Sequence, residues 1–331
     1  MVDPQQFRCN PSDDAFHPDP SPGFFEWWYF DGVFDDESSF VTSWHVDGID
    51  VDGVVAFAVY DPSGKKTDVR GQYPAARTSV STATCDVRMG ENYVRGEFPK
   101  WEMHFREGDL GCDLTLRNLT QGVRTPPDGV GTKLSESPPL YIGWAVAQPR
   151  AEITGELVIA GKRVPVHGVG YHDHNWGVGA GGQGMGNLGA LFDFWYWGRL
   201  YLPRHTLIYS AGHMAEILGH SPFRGLTALA GETLIARSSQ LEHVEYEEND
   251  LVTDENTGAA YPWELVIRLN GPEAKGVVSL KLRRLIEGVP FGTQGRGHAY
   301  FRFLSDCQAD LDFGGEKVKA FVPAIHELMR P

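Results

Sequence analysis

Cysteine is scarce in this 331-residue chain: Cys9, Cys85, Cys112 and Cys307 lie far apart, and no C-x-x-C pair occurs. That excludes a disulfide-stapled scaffold and a cysteine-based structural zinc site, and fits four reduced thiols. Positive charge is also in short supply, with 29 Lys+Arg against 44 Asp+Glu and a net charge of -15. A phosphate-backbone binder or a protein docked on anionic lipid needs clustered cations, so neither nucleic acid nor a charged membrane surface is an expected partner. The longest apolar run, VVAFAVY at 54–60, falls far below the ~20 residues of a membrane-crossing helix, and no transmembrane segment is expected. The opening stretch MVDPQQFRCNPSDD has neither the basic nor the apolar part of a secretory signal, so the expected location is cytoplasmic. No G-x-S-x-G elbow is present, and Ser43 and Ser210 carry no nucleophile signature.

Alternation with period two, by contrast, recurs throughout. CDLTLRN sets Cys112, Leu114 and Leu116 on one face, WELVIRLN sets Trp263, Leu265, Ile267 and Leu269, and HAYFRFLS sets Ala299, Phe301 and Phe303. Turn signals such as DPSGKK at 61–66 and DFGGEK at 312–317 separate such runs, and no stretch of three or four amphipathic helical turns appears. The fold class is all-β. The length predicts two antiparallel β-barrel or β-sandwich domains in series, 1–180 and 181–331, parted in the glycine-rich segment 177–189. That segment contains G-x-G-x-x-G at Gly177, Gly179 and Gly182, but it lacks the preceding apolar strand and following helix of a dinucleotide site. The acidic stretch at 242–256 reads as a solvated hairpin tip or edge.

Three dense clusters carry the candidate chemistry: FFEWWYFDG at 24–32, GYHDHNWG at 170–177 and LFDFWYWGRLYLPRH at 191–205. In WWYF and FWYW the bulky rings are consecutive, so they must point to both faces of a sheet. One face can be core; the other needs a second layer or a ligand cavity. Trp27, Trp28, Tyr29, Trp176, Trp195, Trp197 and Arg199 are therefore the expected contacts to a hydrophobic small molecule. In an extended segment His172 and His174 share one face, and Asp173 and Asn175 the other. Such an H-x-H pair can hold a metal with help from His45, His205 or Glu26, but a two-residue match does not define a site, and no metal or other cofactor is expected. A carboxylic acid buried among indoles keeps its proton at neutral pH and can deliver it. Asp173 is the first candidate for that acid, with His172 and His174 as relay, and Glu26 the second. Tyr196 or Asn175 would orient a water. A paired-carboxylate hydrolase drawn from Glu26, Asp31, Asp173 and Asp193 is a minor alternative.

E-W-W-Y-F-D-G at 26–32, G-W-x-V-x-x-P-R-A at 143–151, G-x-G-Y-H-D-H-N-W-G at 168–177, W-Y-W-G-R at 195–199 and His326-Glu327 together resemble the carotenoid 1,2-hydratase (hydroxyneurosporene synthase) family. Its lipocalin-like relatives include kievitone-type hydratases and decalin-forming Diels–Alderases. The resemblance implies two consecutive lipocalin-like β domains and a ligand pocket between or inside them. The implied activity is acid-catalysed hydration of a C=C bond in an isoprenoid or polyene, through a cation that tryptophans stabilise. The alternatives are a pericyclic or cationic cyclase of a polyketide or terpenoid and, without turnover, a lipocalin-like carrier.

Overall fold

The period-two runs become strands. In a computed structural model, which describes residues 4–47, 52–127, 130–180, 185–291 and 297–330, the elements are 22 strands, one five-residue helix and short 3-10 turns. They divide into two units, Met1–Arg124 with Asp128–Leu188, and Thr125–Pro127 with Gly189–Pro331. The expected boundary at 180/181 adjoins residues 181–184, which lie outside the described residues, as does Gly182 of the glycine pattern.

In the first unit the strands are β1 (Phe24–Phe34), β2 (Ser39–Asp47), β3 (Asp52–Tyr60), β4 (Lys66–Tyr73), β5 (Thr78–Val80), β6 (Cys85–Met89) and β7 (Asn92–Glu97). They continue as β8 (Lys100–Glu107), β9 (Leu110–Asn118), β10 (Val123–Arg124), β11 (Val130–Glu136), β12 (Pro139–Ile159) and β13 (Lys162–Val178). The sheet order is β4-β3-β2-β1-β13-β12-β9-β8-β7-β6-β5, every pairing is antiparallel, and β3 and β4 reach β6 and β8 to make a nearly closed barrel. Cys112, Leu114 and Leu116 face inward as their spacing predicts, and pack in one core with Trp28, Phe30, Trp44, Phe57 and Phe105.

The N-terminal segment is held against that inner face. Its backbone bonds residues flanking two strands, Cys9 N–H to the Gly122 carbonyl just before β10 and Phe16 N–H to the Ser81 carbonyl just after β5. Between them a 3-10 turn, Pro11–Asp14, buries two carboxyls. Asp13 takes a two-pronged bond from Arg124, at 2.9 and 3.0 Å. Asp14 accepts the Trp101 indole N–H at 3.0 Å and sits 3.0 Å from His172 Nε2, while its carbonyl accepts the Trp28 indole N–H at 2.9 Å. His172 Nδ1 lies 2.9 Å from the Tyr29 carbonyl, so both ring nitrogens face oxygen acceptors.

The second unit contains β14 (Phe192–Tyr201), β15 (His205–Met214), β16 (Pro222–Ala230), β17 (Thr233–Ser238), β18 (Val244–Thr253), β19 (Ala260–Asn270), β20 (Lys275–Pro290), β21 (Ala299–Phe313) and β22 (Glu316–Arg330). Their order is β17-β16-β15-β14-β22-β21-β20-β19-β18, a half-barrel in which Arg224 of β16 donates to the Val244 carbonyl of β18 and lies 4.8 Å from the Tyr246 ring. The acidic stretch supplies the edge strand β18. Leu265, Ile267, Leu269, Phe301 and Phe303 form the core, but Trp263, expected to share their face, is 48% exposed. Tyr261 and Leu265, two residues to either side of it on β19, are both buried in that core, so the departure from the alternation is confined to Trp263.

Two measurements test this packing. Asp14→Ala removes the acceptor of the buried His172 pair and of the Trp101 indole N–H, while the backbone carbonyl that holds Trp28 remains, and should cost roughly 3–5 kcal/mol in urea unfolding. His167→Ala, which breaks exposed, solvent-screened pairs to Asp35 and Glu152, should leave the midpoint nearly unchanged. On β22, His326 is buried 2.9 Å from Ser305 Oγ, and burial pushes its ring down to about 3. The folded state refuses a proton that the unfolded chain accepts below the ordinary 6.5, so this contribution is complete above 6.5 and is lost as pH falls toward about 3. Urea midpoints measured from pH 7.5 to 4 should show it, at up to ~1.4 kcal/mol per pH unit, and His326→Gln should remove that component.

Candidate active site

The first two aromatic clusters are brought together by one pairing. β1 and β13 run antiparallel with Glu26 opposite Trp176, Trp28 opposite His174, Tyr29 opposite Asp173, and Phe30 opposite His172. Because side chains alternate, this ribbon presents two polar clusters on its two faces.

On the outer face lie Trp27, Tyr29, Asp31, Tyr171, Asp173 and Asn175, joined by Ser43 and His45 of β2 and Trp144 of β12. Asp173 is 6% exposed. Its Oδ2 accepts the Trp144 indole N–H and the Tyr171 hydroxyl, each at 2.8 Å, and its Oδ1 accepts the Asn175 amide at 2.9 Å. Those donors favour the carboxylate, but burial outweighs them and pushes the carboxyl up to about 6. Tyr29 donates to Asp31 at 2.8 Å. His45 contacts Ser43 at 2.9 Å, and burial, with a smaller push from Arg70, brings its ring down to about 4.

The inner face holds His172, His174, Glu26 and Trp176. His174 Nδ1 donates to the Asp13 carbonyl at 3.1 Å, and its Nε2 lies 2.8 Å from Glu26 Oε1. Burial holds the His174 ring well below and the Glu26 carboxyl well above their usual ranges, so the pair is neutral. Glu26 also accepts the His17 backbone N–H at 2.9 Å and meets His17 Nδ1 at 3.1 Å. Stacked rings clamp the group: Trp28 on His174 at 4.4 Å, Phe30 on His172 at 3.8 Å and Trp176 on His17 at 3.9 Å. Beside it an open cleft of about 790 Å³ is lined by Asp13, Phe16, His17, Tyr141 and Trp176, among others.

This arrangement corrects several expectations. His172 and His174 cannot relay a proton to Asp173, because they project from the opposite face and are occupied by Asp14 and Glu26. Trp28 is fully buried core, its N–H bonded to Asp14, and leaves no surface for a substrate. Of the residues expected to complete an H-x-H metal set, Glu26 does reach His174; His45 faces outward, and His205 belongs to β15 of the second unit. Asp193 is exposed, bonded to His220 at 2.6 Å, and belongs to β14 of the second unit.

The third cluster lies on β14 of the second unit. Tyr196 points into that unit's core and donates to Glu248, so it is occupied there and does not share a face with its neighbours. Trp195, Trp197 and Arg199 take the other face, with the Arg199 guanidinium 5.5 Å from the Trp197 ring and its Nε 2.9 Å from the Tyr201 hydroxyl. Sequence reasoning missed Asp13, Asp14 and His17, as well as Trp144 and Tyr171. A signal for Tyr171 existed, since Y-x-D-x-N puts three polar groups on one strand face.

No family model matches the chain. Among curated proteins, it is 32% identical over 120 residues to the quinolone epoxide rearrangement protein penF of Penicillium thymicola, covering 34% of this chain and 30% of penF. It is 26% identical over 205 residues to asqO of Emericella nidulans, which bears the same description, covering 56% of this chain and 53% of asqO. The matches thus span about half of one relative and less than a third of the other. In fold, a Nitrosomonas europaea protein described as AttH aligns over 96% of this chain and 95% of its own, with a TM-score of 0.70 and 16% identity. CghA crystallised with Sch210972 gives 0.66 at 15% identity over 98% and 96% of the two chains. Kievitone hydratase from Nectria haematococca gives 0.58 at 16% identity over 98% and 93%. Sequence and fold therefore agree with the motifs: the chain is similar to the lipocalin-like family of hydratases, Diels–Alderases and rearrangement proteins.

Proposed function

We propose that the chain is an enzyme of the lyase or isomerase type that protonates a hydrophobic small molecule from Asp173, and that its reaction is hydration of a C=C bond in an isoprenoid or polyene. The observation that carries this reading is the setting of Asp173, a carboxyl withdrawn from water among Trp144, Tyr171, Trp27 and Tyr29 rather than paired to a cation. The carboxylic proton passes to one alkene carbon, leaving a cation on its neighbour. Indole faces stabilise such a charge by ~0.5–2 kcal/mol each. A water held by Asn175 or Tyr29 then adds through oxygen and returns a proton to the carboxylate, which restores the acid. Trp195, Trp197 and Arg199 are the proposed substrate contacts of the second unit. His172, His174 and Glu26 stay outside this cycle.

A second reading, rearrangement or cyclisation without net addition of water, is favoured by the description of penF and asqO. The same acid would open a strained or conjugated substrate, and the shaped aromatic wall would direct the product. Isotopes distinguish the two. With prenylated and polyene substrates in D2O and H2¹⁸O, hydration leaves one deuterium on carbon and one ¹⁸O in the product, whereas rearrangement or cyclisation incorporates no ¹⁸O. In either case Asp173→Asn should lower turnover by ~10²–10⁴-fold with an unchanged thermal melt. Turnover near the unsubstituted level in that variant would remove Asp173 from the proton-donor role.

A further inference from the structure

We infer that His17, Glu26 and His174 form a binding site for a first-row divalent cation, with Zn²⁺ the best match to two imidazole nitrogens and one carboxylate oxygen. The three side chains come from separate segments, namely the N-terminal stretch, β1 and β13. They present Nδ1, a carboxylate oxygen and Nε2 within 4.8 Å of one another. Glu26 Oε1 stands 2.8 Å from His174 Nε2 and 3.1 Å from His17 Nδ1. Metal bonds of ~2.0–2.2 Å span donor separations of about that size.

The hydrogen bonds around the group set the tautomers. His174 commits its Nδ1 proton to the Asp13 carbonyl, which turns the Nε2 lone pair toward Glu26. His17 turns its Nδ1 toward the same carboxylate oxygen, at 3.1 Å. Two ring nitrogens therefore converge on one carboxyl oxygen. A proton on Glu26 can satisfy one of them, not both, and His174 Nε2 is fully buried without a directed hydrogen bond. A cation satisfies all three atoms at once. Outer contacts of this kind, a backbone carbonyl behind the His174 imidazole and a backbone N–H behind the carboxylate, are what hold ligands in place in metal sites. The stacked Trp28 and Trp176 rings fix the imidazole planes, and the adjoining cleft leaves a side open for a water or a small oxygen ligand.

A second group, Asp14, Cys85 and His172, meets the same distance criterion but differs in one respect. Both His172 nitrogens are already engaged, by Tyr29 and Asp14, so it offers no free lone pair.

This site lies on the opposite face of the ribbon from Asp173 and does not depend on the proposed reaction. It is tested by titrating the chelator-stripped full chain with ZnCl2 in a calorimeter, and with Co²⁺ in visible absorption. The expected result is one equivalent bound at protein concentrations on the order of 10 µM, with Co²⁺ bands typical of low coordination number. His17→Ala and Glu26→Gln should each weaken binding by more than ~10-fold, and Cys85→Ser should leave it unchanged. His17 is partly exposed on the N-terminal stretch, so its variant keeps the test valid if Glu26→Gln fails to fold, as read from the circular dichroism melt. Absence of a stoichiometric equivalent, binding that survives both ligand substitutions, or binding lost in Cys85→Ser would each overturn the assignment.

Discussion

The register between β1 and β13 is the constraint on which the polar architecture of the first unit depends. Eleven consecutive residue pairs are matched without a bulge, from Phe24 with Val178 to Phe34 with Gly168. A slip of one residue would exchange every inward for every outward side chain. It would carry Asp173 into the barrel and His172 and His174 out of it, leaving Asp14 and Glu26 buried without their partners. Core rings and functional carboxyls are therefore specified together. Trp28 and Phe30 fix the side on which Tyr29 and Asp31 must appear.

The two faces solve the problem of buried charge differently. Inside, carboxyls meet imidazole and indole groups through short contacts, Asp13 and Asp14 coming from the N-terminal segment and Glu26 from β1. Outside, Asp173 is bonded by three neutral donors, Trp144, Tyr171 and Asn175, and burial governs its proton. The first arrangement favours rigidity. The second keeps a group whose protonation state a reaction can use, which is why the functional reading rests on the outer face.

Much of this was legible in the sequence. Period two revealed the strands, consecutive rings in WWYF implied a sheet populated on both sides, and H-D-H-N implied histidines on one face with Asp173 and Asn175 on the other. The same alternation already argued against a histidine relay to Asp173, and the structure agrees with the alternation. Asp13, Asp14 and His17 were not legible, because their partners are remote: Asp14 and His172 are separated by 158 positions, and nothing local in NPSDDAFHP marks which strand will accept it. Trp144 was visible within a motif, yet its role is set by the β12–β13 pairing, which no local pattern encodes. Trp263 shows the opposite limit, since periodicity groups it with the buried Tyr261 and Leu265, yet it is exposed between them.

The division of the chain has one further consequence. Thr125–Pro127 leaves β10 and groups with the second unit, where Arg237 Nη2 donates to the carbonyls of Thr125 and Pro127, both at 2.7 Å. The polypeptide thus visits the second unit briefly before entering it for good after Leu188. A gene fragment beginning at residue 189 would strip Arg237 of two backbone acceptors, and one ending at 188 would carry a stranded tripeptide. Dissection of this protein into halves for recombination or swapping is better planned with the tripeptide moved alongside its guanidinium than by a single cut.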